Sequence, residues 1–239
     1  MSRLPASRVH SHSCNDCPVQ RSFCPLPADL RTVFEALKTT TALDKGETFF
    51  HEGEPCRSVF VICSGYVKLT TASSEGKVLL LRFAGPGDLL GVAEAVLGNA
   101  PYECSGVAAE PVLVAVIPSD TFLRFVGAYP DTCVRLTLAL SEQYKAAQRE
   151  TRFLAFGETS TARLARLLMD WSAERGRTDA DGVHIPSRVT HTEIAQSIGS
   201  TRETVTRILG ALNHRGIVER TPDEIFIRRA QELTRLGTY

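Results

Sequence analysis

Between Leu43 and Pro118 the chain alternates short apolar runs with glycines, and this restricts its fold more than any other feature. The runs Ser58–Cys63, Tyr66–Thr71, Val78–Phe83 and Val112–Ile117 have the length of strands. Gly46, Gly53, Gly65, Gly76, Gly85, Gly87 and Gly91 punctuate the stretch, at roughly ten-residue spacing. Strands this short cannot each bury a face alone, so the pattern predicts a compact antiparallel barrel or sandwich.

The flanks read as helices. Ala28–Lys38 places Leu30, Val33, Phe34 and Leu37 on one face. Pro130–Phe156 contains no further Gly or Pro, with Pro130 suited to a first helical position and Gly157 to an end. Along it Cys133, Leu136, Leu140, Ala147 and Leu154 follow a loose heptad broken by Gln143 and Glu150. This predicts a two-stranded dimer seam at Leu136, Leu140, Ala147 and Leu154, the alternative being a helix lying on the barrel. Thr159–Glu174 is a further amphipathic helix with Leu164, Leu167, Leu168 and Trp171 inward. The chain thus divides into a cysteine-rich segment (1–27), a barrel unit (28–129), a long helix (130–156) and a C-terminal unit (157–239).

The segment Thr190–Arg220 predicts two helices crossing at a tight turn. Such a crossing needs a small residue at the contact and no side chain in the turn, which Ala195 and Gly199 supply. Ile194 and Ile198 face Val205, Ile208 and Leu212 as a small core, and Thr190 or Thr192 and Ser200 or Thr201 are of N-cap type. Arg202, Glu203, Thr206, Arg207 and Gly210 fall on the opposite face of the second helix. A helix presenting those groups can enter a DNA major groove, arginine bonding guanine and glutamate accepting from cytosine. Thr201 belongs to the same DNA-facing start, while Arg215, Arg220 and His214 are phosphate candidates. The plain alternative is an i,i+4 pair, Glu203–Arg207, on a solvated helix. The small-residue turn, the apolar core and the β pair that follows (Gly216–Glu219, Glu224–Arg228) argue together against it.

Formal net charge is zero with pI about 7, so attraction to a polyanion must come from a local patch. No apolar run is long enough to span a membrane, and Met1–His12 has no apolar core of a secretory leader, so a cytoplasmic location is expected. No Gly-rich phosphate loop, HExxH or Gly-x-Ser-x-Gly occurs, so the chain is not expected to be an enzyme.

Seven cysteines are present, three of them within eleven residues: Cys14, Cys17 and Cys24. In a reducing compartment such crowding points to metal or redox chemistry before disulfides. Zinc on the three thiolates plus His10 or His12 is one possibility, and three unliganded cysteines another.

In the order of barrel, long helix and helix-turn-helix, Leu43–Leu236 resembles the CRP/FNR family of bacterial regulators, and ETVTRILGAL (Glu203–Leu212) resembles its recognition helix. The resemblance implies an α+β chain: a cyclic-nucleotide-binding-like β-roll, a long dimerisation helix and a C-terminal winged helix-turn-helix. It implies a homodimer on palindromic double-stranded DNA, with RNA polymerase as a further partner. Arg202, Glu203 and Arg207 resemble the face of the cAMP-responsive members, which implies a half-site closer to TGTGA than to TTGAT. Those members neutralise a cyclic phosphate with an Arg-Ser pair after a Gly-Glu-Leu turn. Here the turn is Gly87-Asp88-Leu89, Glu103 stands in the later stretch and no arginine lies near, so cAMP is not expected.

Cys14-x2-Cys17-x6-Cys24 resembles instead the FNR type, whose N-terminal cysteines and one distant cysteine hold an oxygen-labile [4Fe–4S] cluster. The resemblance places Ala115 at the distant position. Cys104 is the expected substitute, on a strand Tyr102–Ala109 paired as a hairpin with Val112–Ile117, and Cys63 and Cys56 are alternates.

Overall fold

A computed structural model describes Ser13, Cys14, Cys17, Val19 and residues 23–237, apart from 73, 76, 77, 156–158 and 188; the side chains of 146, 149–155 and 174 are not described. The expectations resting on His10, His12, Phe156, Gly157 and the Leu154 side chain fall outside the described residues. The chain divides into two compact units, Met1–Ala147 and Gln148–Tyr239.

Two four-stranded antiparallel sheets build the first unit. One has the order β1 (Thr39–Leu43), β8 (Val112–Pro118), β3 (Ser58–Ser64), β6 (Leu89–Leu90); the other is β2 (Thr48–Phe50), β7 (Ser105–Ala108), β4 (Val67–Ala72), β5 (Val78–Ala84). Each of the four anticipated strands is present within a residue. Val59–Ile62 of β3 are all buried, as befits a strand covered on both faces, and they share one core with Phe49, Phe50, Val67 and Ala108 of the second sheet. Gly65 turns β3 into β4 at φ +77°, where a Cβ would collide with the Pro111 carbonyl oxygen, so glycine is required there.

The anticipated hairpin between Tyr102–Ala109 and Val112–Ile117 does not form. β7 pairs with β2 and β4, whereas β8 pairs with β1 and β3. The chain crosses from one sheet to the other at Glu110–Pro111, so nearness in sequence does not make the two strands neighbours.

Helices cover the roll: α1 (Ala28–Leu37), α2 (Val92–Val96), α3 (Ser119–Ala128) and the start of α4 (Pro130–Ala155). Phe23, wholly buried, packs against Phe34 of α1 (5.7 Å between ring centroids) and Phe122 of α3 (5.6 Å). Along α4 the expected seam needs correction. Leu136 is buried in the chain's own core, with Ala139 beside it and Leu140 half-buried against it, and Gln143 donates to the Leu89 carbonyl (3.1 Å). Ala147 is exposed. Among the described residues, the large apolar side chains exposed on α4 are Val134, Leu138 and Tyr144, at 59%, 59% and 63%. Heptad spacing locates apolar residues on a helix but does not say whether they meet a partner or the chain's own body. Cys133, counted in that heptad, is also exposed.

The second unit packs α5 (Ser160–Arg175), α6 (His191–Ser197), α7 (Arg202–His214) and α8 (Ala230–Gly237) with a sheet of order β11 (Val218–Arg220), β12 (Glu224–Ile227), β10 (Val183–Pro186), β9 (Arg177–Thr178). Thr159 caps α5, its hydroxyl accepting the Ala162 N–H (3.2 Å), and Leu164, Leu168 and Trp171 are buried. The anticipated β pair is β11–β12; β10 and β9 extend it. His184 braces this sheet, 3.0 Å from Glu224 and 2.9 Å from Asp179, with its ring stacked on Phe226 at 4.2 Å.

Candidate DNA-reading helix and cysteine cavity

Local sequence sets the helix crossing. Thr190 opens α6 with a reciprocal cap: its hydroxyl accepts the Glu193 N–H (3.2 Å) and the Glu193 carboxylate accepts the Thr190 N–H (2.8 Å). The turn after α6 passes through Gly199 at φ +56°, a left-handed conformation that glycine adopts without a Cβ penalty. Thr201 then caps α7, accepting the Thr204 N–H (3.2 Å). Ile194, Ala195 and Ile198 are buried with Val205, Ile208 and Leu212, as the apolar spacing requires.

The other face of α7 carries Arg202, Glu203, Thr206, Arg207 and Gly210, all exposed. Among the described residues no ion pair joins Glu203 to Arg207, so the solvated-pair alternative has no support. The Thr206 hydroxyl donates to the Arg202 carbonyl (2.9 Å) and lies 2.8 Å from His191 Nδ1. His191 did not stand out in the sequence, because a histidine one residue past an N-cap carries no periodic signal. Burial, then the positive fields of Arg220 and Arg202, hold its imidazole below the usual histidine range.

One phosphate candidate is engaged within the protein. Arg220 is turned inward, donating to the Val189 carbonyl oxygen, with its guanidinium pKa lowered by burial. The count of residues past α7 could not reveal that β11 carries its side chain back toward α6. Arg215 stands 3.7 Å from Glu232 of α8 and remains half-exposed, and His214 is exposed.

In the first unit, Cys14, Cys17 and Cys24 line a single cavity of about 100 Å3. Its other walls include Phe23 and Phe34, Val61 and Cys63 of β3, and Ala115 of β8. The Cys14 backbone N–H donates to Glu35 of α1 (2.8 Å), and Glu35 pairs with Lys38 (3.2 Å), whose side chain is 2% exposed. Burial disfavours the charged Glu35, yet the Cys14 N–H and thiol and Lys38 hold its carboxyl below the usual range. Burial likewise opposes the Lys38 ammonium, but Cys14 and Glu35 outweigh it and raise its pKa. Burial pushes Cys14 up to about 11 and, with repulsion from Cys17, Cys63 and Cys14, Cys24 up to about 12. Among the described residues no three His, Cys, Asp or Glu side chains stand at the spacing of one bound metal ion.

Cys104, the expected fourth thiol, is not among the residues lining this cavity. It directly precedes β7 in the other sheet, and burial followed by the field of Glu94 raises it to about 11. Cys56 is buried, its thiol donating to the carbonyls of Gly91 (3.3 Å) and Ser58 (3.6 Å).

Two domain models account for both units. The cyclic nucleotide-binding domain matches residues 40–129, and the Crp-like helix-turn-helix domain matches residues 162–236. The chain belongs to the CRP/FNR family. It is 26% identical to the CRP-like cAMP-activated global transcriptional regulator of Mycobacterium tuberculosis, over 80% of this chain and 84% of the relative. It is 25% identical to the transcriptional activator protein anr of Pseudomonas aeruginosa, over 94% and 92%. The fold is that of FixK2 from Bradyrhizobium japonicum, at TM-score 0.75, 21% identity, 84% of this chain and 98% of the other. As a CRP/FNR-type transcription regulator the chain binds DNA, its partner class, through the helix-turn-helix. No helix among the described residues is long and apolar enough to cross a membrane.

In this CRP/FNR regulator an arginine does lie beside the turn Gly87-Asp88-Leu89. Arg82 of β5 stands 3.4 Å from Asp88, whose carboxylate also accepts the Gly85 N–H (2.9 Å). The guanidinium is therefore committed to a carboxylate. Tyr102 is buried, and its hydroxyl donates to the Ser58 carbonyl (2.8 Å).

Proposed function

We propose that this CRP/FNR regulator reads a palindromic DNA site as a homodimer and is controlled by oxygen, nitric oxide or redox state through an N-terminal iron–sulfur cluster rather than by cAMP. The observation that carries the sensing half is the common cavity: Cys14, Cys17 and Cys24, from a segment with no helix or strand among its described residues, converge on one space against the roll.

The donor set fits such a cluster. In a cubane each thiolate takes its own iron, so the sulfurs stand farther apart than around one zinc, whose tetrahedral shell would hold them within about 4 Å of one another. Three thiols that line one cavity supply the kind of donor such a cluster takes. When bound, the cluster supplies a cross-link that oxygen or nitric oxide removes. The chain's own residues do the rest: Cys14, Cys17 and Cys24 hold it, Phe23 anchors the segment between Phe34 and Phe122, and Glu35 fixes the Cys14 backbone. An ordered segment packed on the roll then biases a two-state equilibrium toward the DNA-binding dimer, which needs only a few kcal/mol. The second copy meets the exposed Val134, Leu138 and Tyr144 face of α4. Arg202, Glu203, Thr206 and Arg207 touch base edges, Arg215 reaches a phosphate, and the promoter-bound dimer meets RNA polymerase. Against an anionic nucleotide stand the commitment of Arg82 to Asp88 and the nearby Glu103.

Anaerobic purification followed by iron and sulfide analysis tests the sensor, paired with gel shifts on palindromic DNA before and after air. The expected protein is coloured, holds iron and sulfide, and loses DNA affinity in air; Cys17→Ser binds weakly in both atmospheres. A colourless, iron-free protein, or Cys17→Ser binding normally under both conditions, sinks the sensing half.

A further inference from the structure

The triad supplies three thiols, and a cubane takes four. Resting on the iron–sulfur reading above, we propose that the fourth ligand is Cys63 of β3, so that the cluster ties the N-terminal segment to the central sheet of the roll, with Lys38 as the buried counter-charge beside it.

Four cysteines lie outside the triad, and the structure separates them. Cys56 is buried away from the cavity lining, Cys133 is exposed on α4, and Cys104 leads into the sheet that does not border the cavity; the Cys63 thiol donates only a long bond to the Val61 carbonyl (3.8 Å). Cys63 alone of these lines the cavity shared by Cys14, Cys17 and Cys24. Its position on the strand explains why. β3 pairs with β8 through Ile62↔Val114 and then Ser64↔Leu113, so Cys63 is the extra residue of a bulge. Residues two apart on a strand share a face, and the irregularity leaves Cys63 on the face of Val61. Val61, two residues earlier, lines the same cavity and pairs with Ala115, so a thiol on β3 reaches the space that Ala115 borders from β8.

Lys38 gives independent support. An ammonium on a side chain only 2% exposed needs strong compensation. It pairs with Glu35 (3.2 Å), the carboxylate that also accepts the Cys14 N–H (2.8 Å), so the cation stands beside the cysteine arm. A cubane with four thiolates carries surplus negative charge in a partly buried site, which a fixed cation stabilises.

The test uses the full chain reconstituted anaerobically with ferrous iron and sulfide, as wild type, Cys63→Ser, Cys63→Ala, Cys104→Ser, Lys38→Met and the double variant Cys63→Ala with Ala115→Cys. Iron and sulfide per chain, the EPR spectrum of the reduced protein, the reduction potential by redox titration and a thermal melt are recorded. Wild type and Cys104→Ser are expected to hold about four irons, Cys63→Ser to lose the complement or change its EPR signature, and the double variant to regain it. Lys38→Met is expected to shift the cluster's reduction potential to a more negative value, which a merely structural lysine would not do. Wild type without iron overturns the sensor reading and this assignment together. Iron-loaded wild type beside an unaltered Cys63→Ser overturns the assignment alone. Should Cys63→Ser fail to fold, Cys63→Ala decides: a cluster lost in that variant and regained when Ala115→Cys is added supports Cys63, and a cluster retained in Cys63→Ala alone overturns it.

Discussion

Arg207 is exposed on α7 with no ion pair to Glu203 among the described residues, so its guanidinium is available for a bidentate contact. Replacing it by alanine is expected to weaken binding to the preferred site by about 1–3 kcal/mol and to relax preference at one base pair. A selection from random DNA checks both, and an unchanged consensus refutes the role. His191 makes a prediction about pH. Its imidazole is held below the usual histidine range, so the folded state binds that proton more weakly than the unfolded chain. This histidine's contribution to stability is therefore present above its unfolded pKa and declines as pH falls through the lower folded value. DNA brings negative charge beside Arg202 and Arg220 and should raise the pKa of His191. Titration by NMR with and without DNA is expected to show that upward shift, and no movement would place His191 away from the interface. The cysteines show what sequence can tell at this scale. Spacing picked out Cys14, Cys17 and Cys24, but choosing among the remaining thiols needed strand pairing. Cys104 is close to β8 in sequence but leads into β7 of the other sheet, whereas Cys63 borders the cavity because β3 pairs with β8, which no local window of sequence announces.

Elements with strong local chemistry were readable, and those defined by pairing were not. α6 and α7 start at caps and cross at a glycine, so their existence, order and faces follow from residue types. Thr190→Ala removes a reciprocal cap and is expected to cost about 1 kcal/mol of stability. A urea melt of the variant would detect it, while a midpoint equal to wild type would show the cap to be idle. The long helix was also visible, but its orientation was not. Leu136 and Leu140 have the spacing of a seam yet pack on the roll, and the outward face carries Val134 and Leu138 instead. β1, α3 and β10 are not evident from local sequence: β1 is threonine-rich, α3 has only ten residues, and β10 is four residues long. Each is stabilised by contacts distant in sequence, which no local window contains.

For the whole molecule, zero net charge means that DNA affinity comes from the α7 face and whatever a second copy adds beside it. Val134→Asp with Leu138→Asp should therefore yield monomers in sedimentation and a large loss of affinity for a palindrome. Each unit's core should stay intact, because neither side chain belongs to it. Dimers surviving that change would require another seam. Phe23, finally, bears on how the cysteine arm is loaded. Its ring is fully buried against Phe34 and Phe122, one residue before Cys24, by apolar contacts alone. Part of the entropy of arranging a chelator is thus already spent by hydrophobic docking. If the arm does carry a cluster, only the short stretch from Cys14 to the docked ring remains to be ordered when the metal is loaded, which lowers the entropic cost of that binding step.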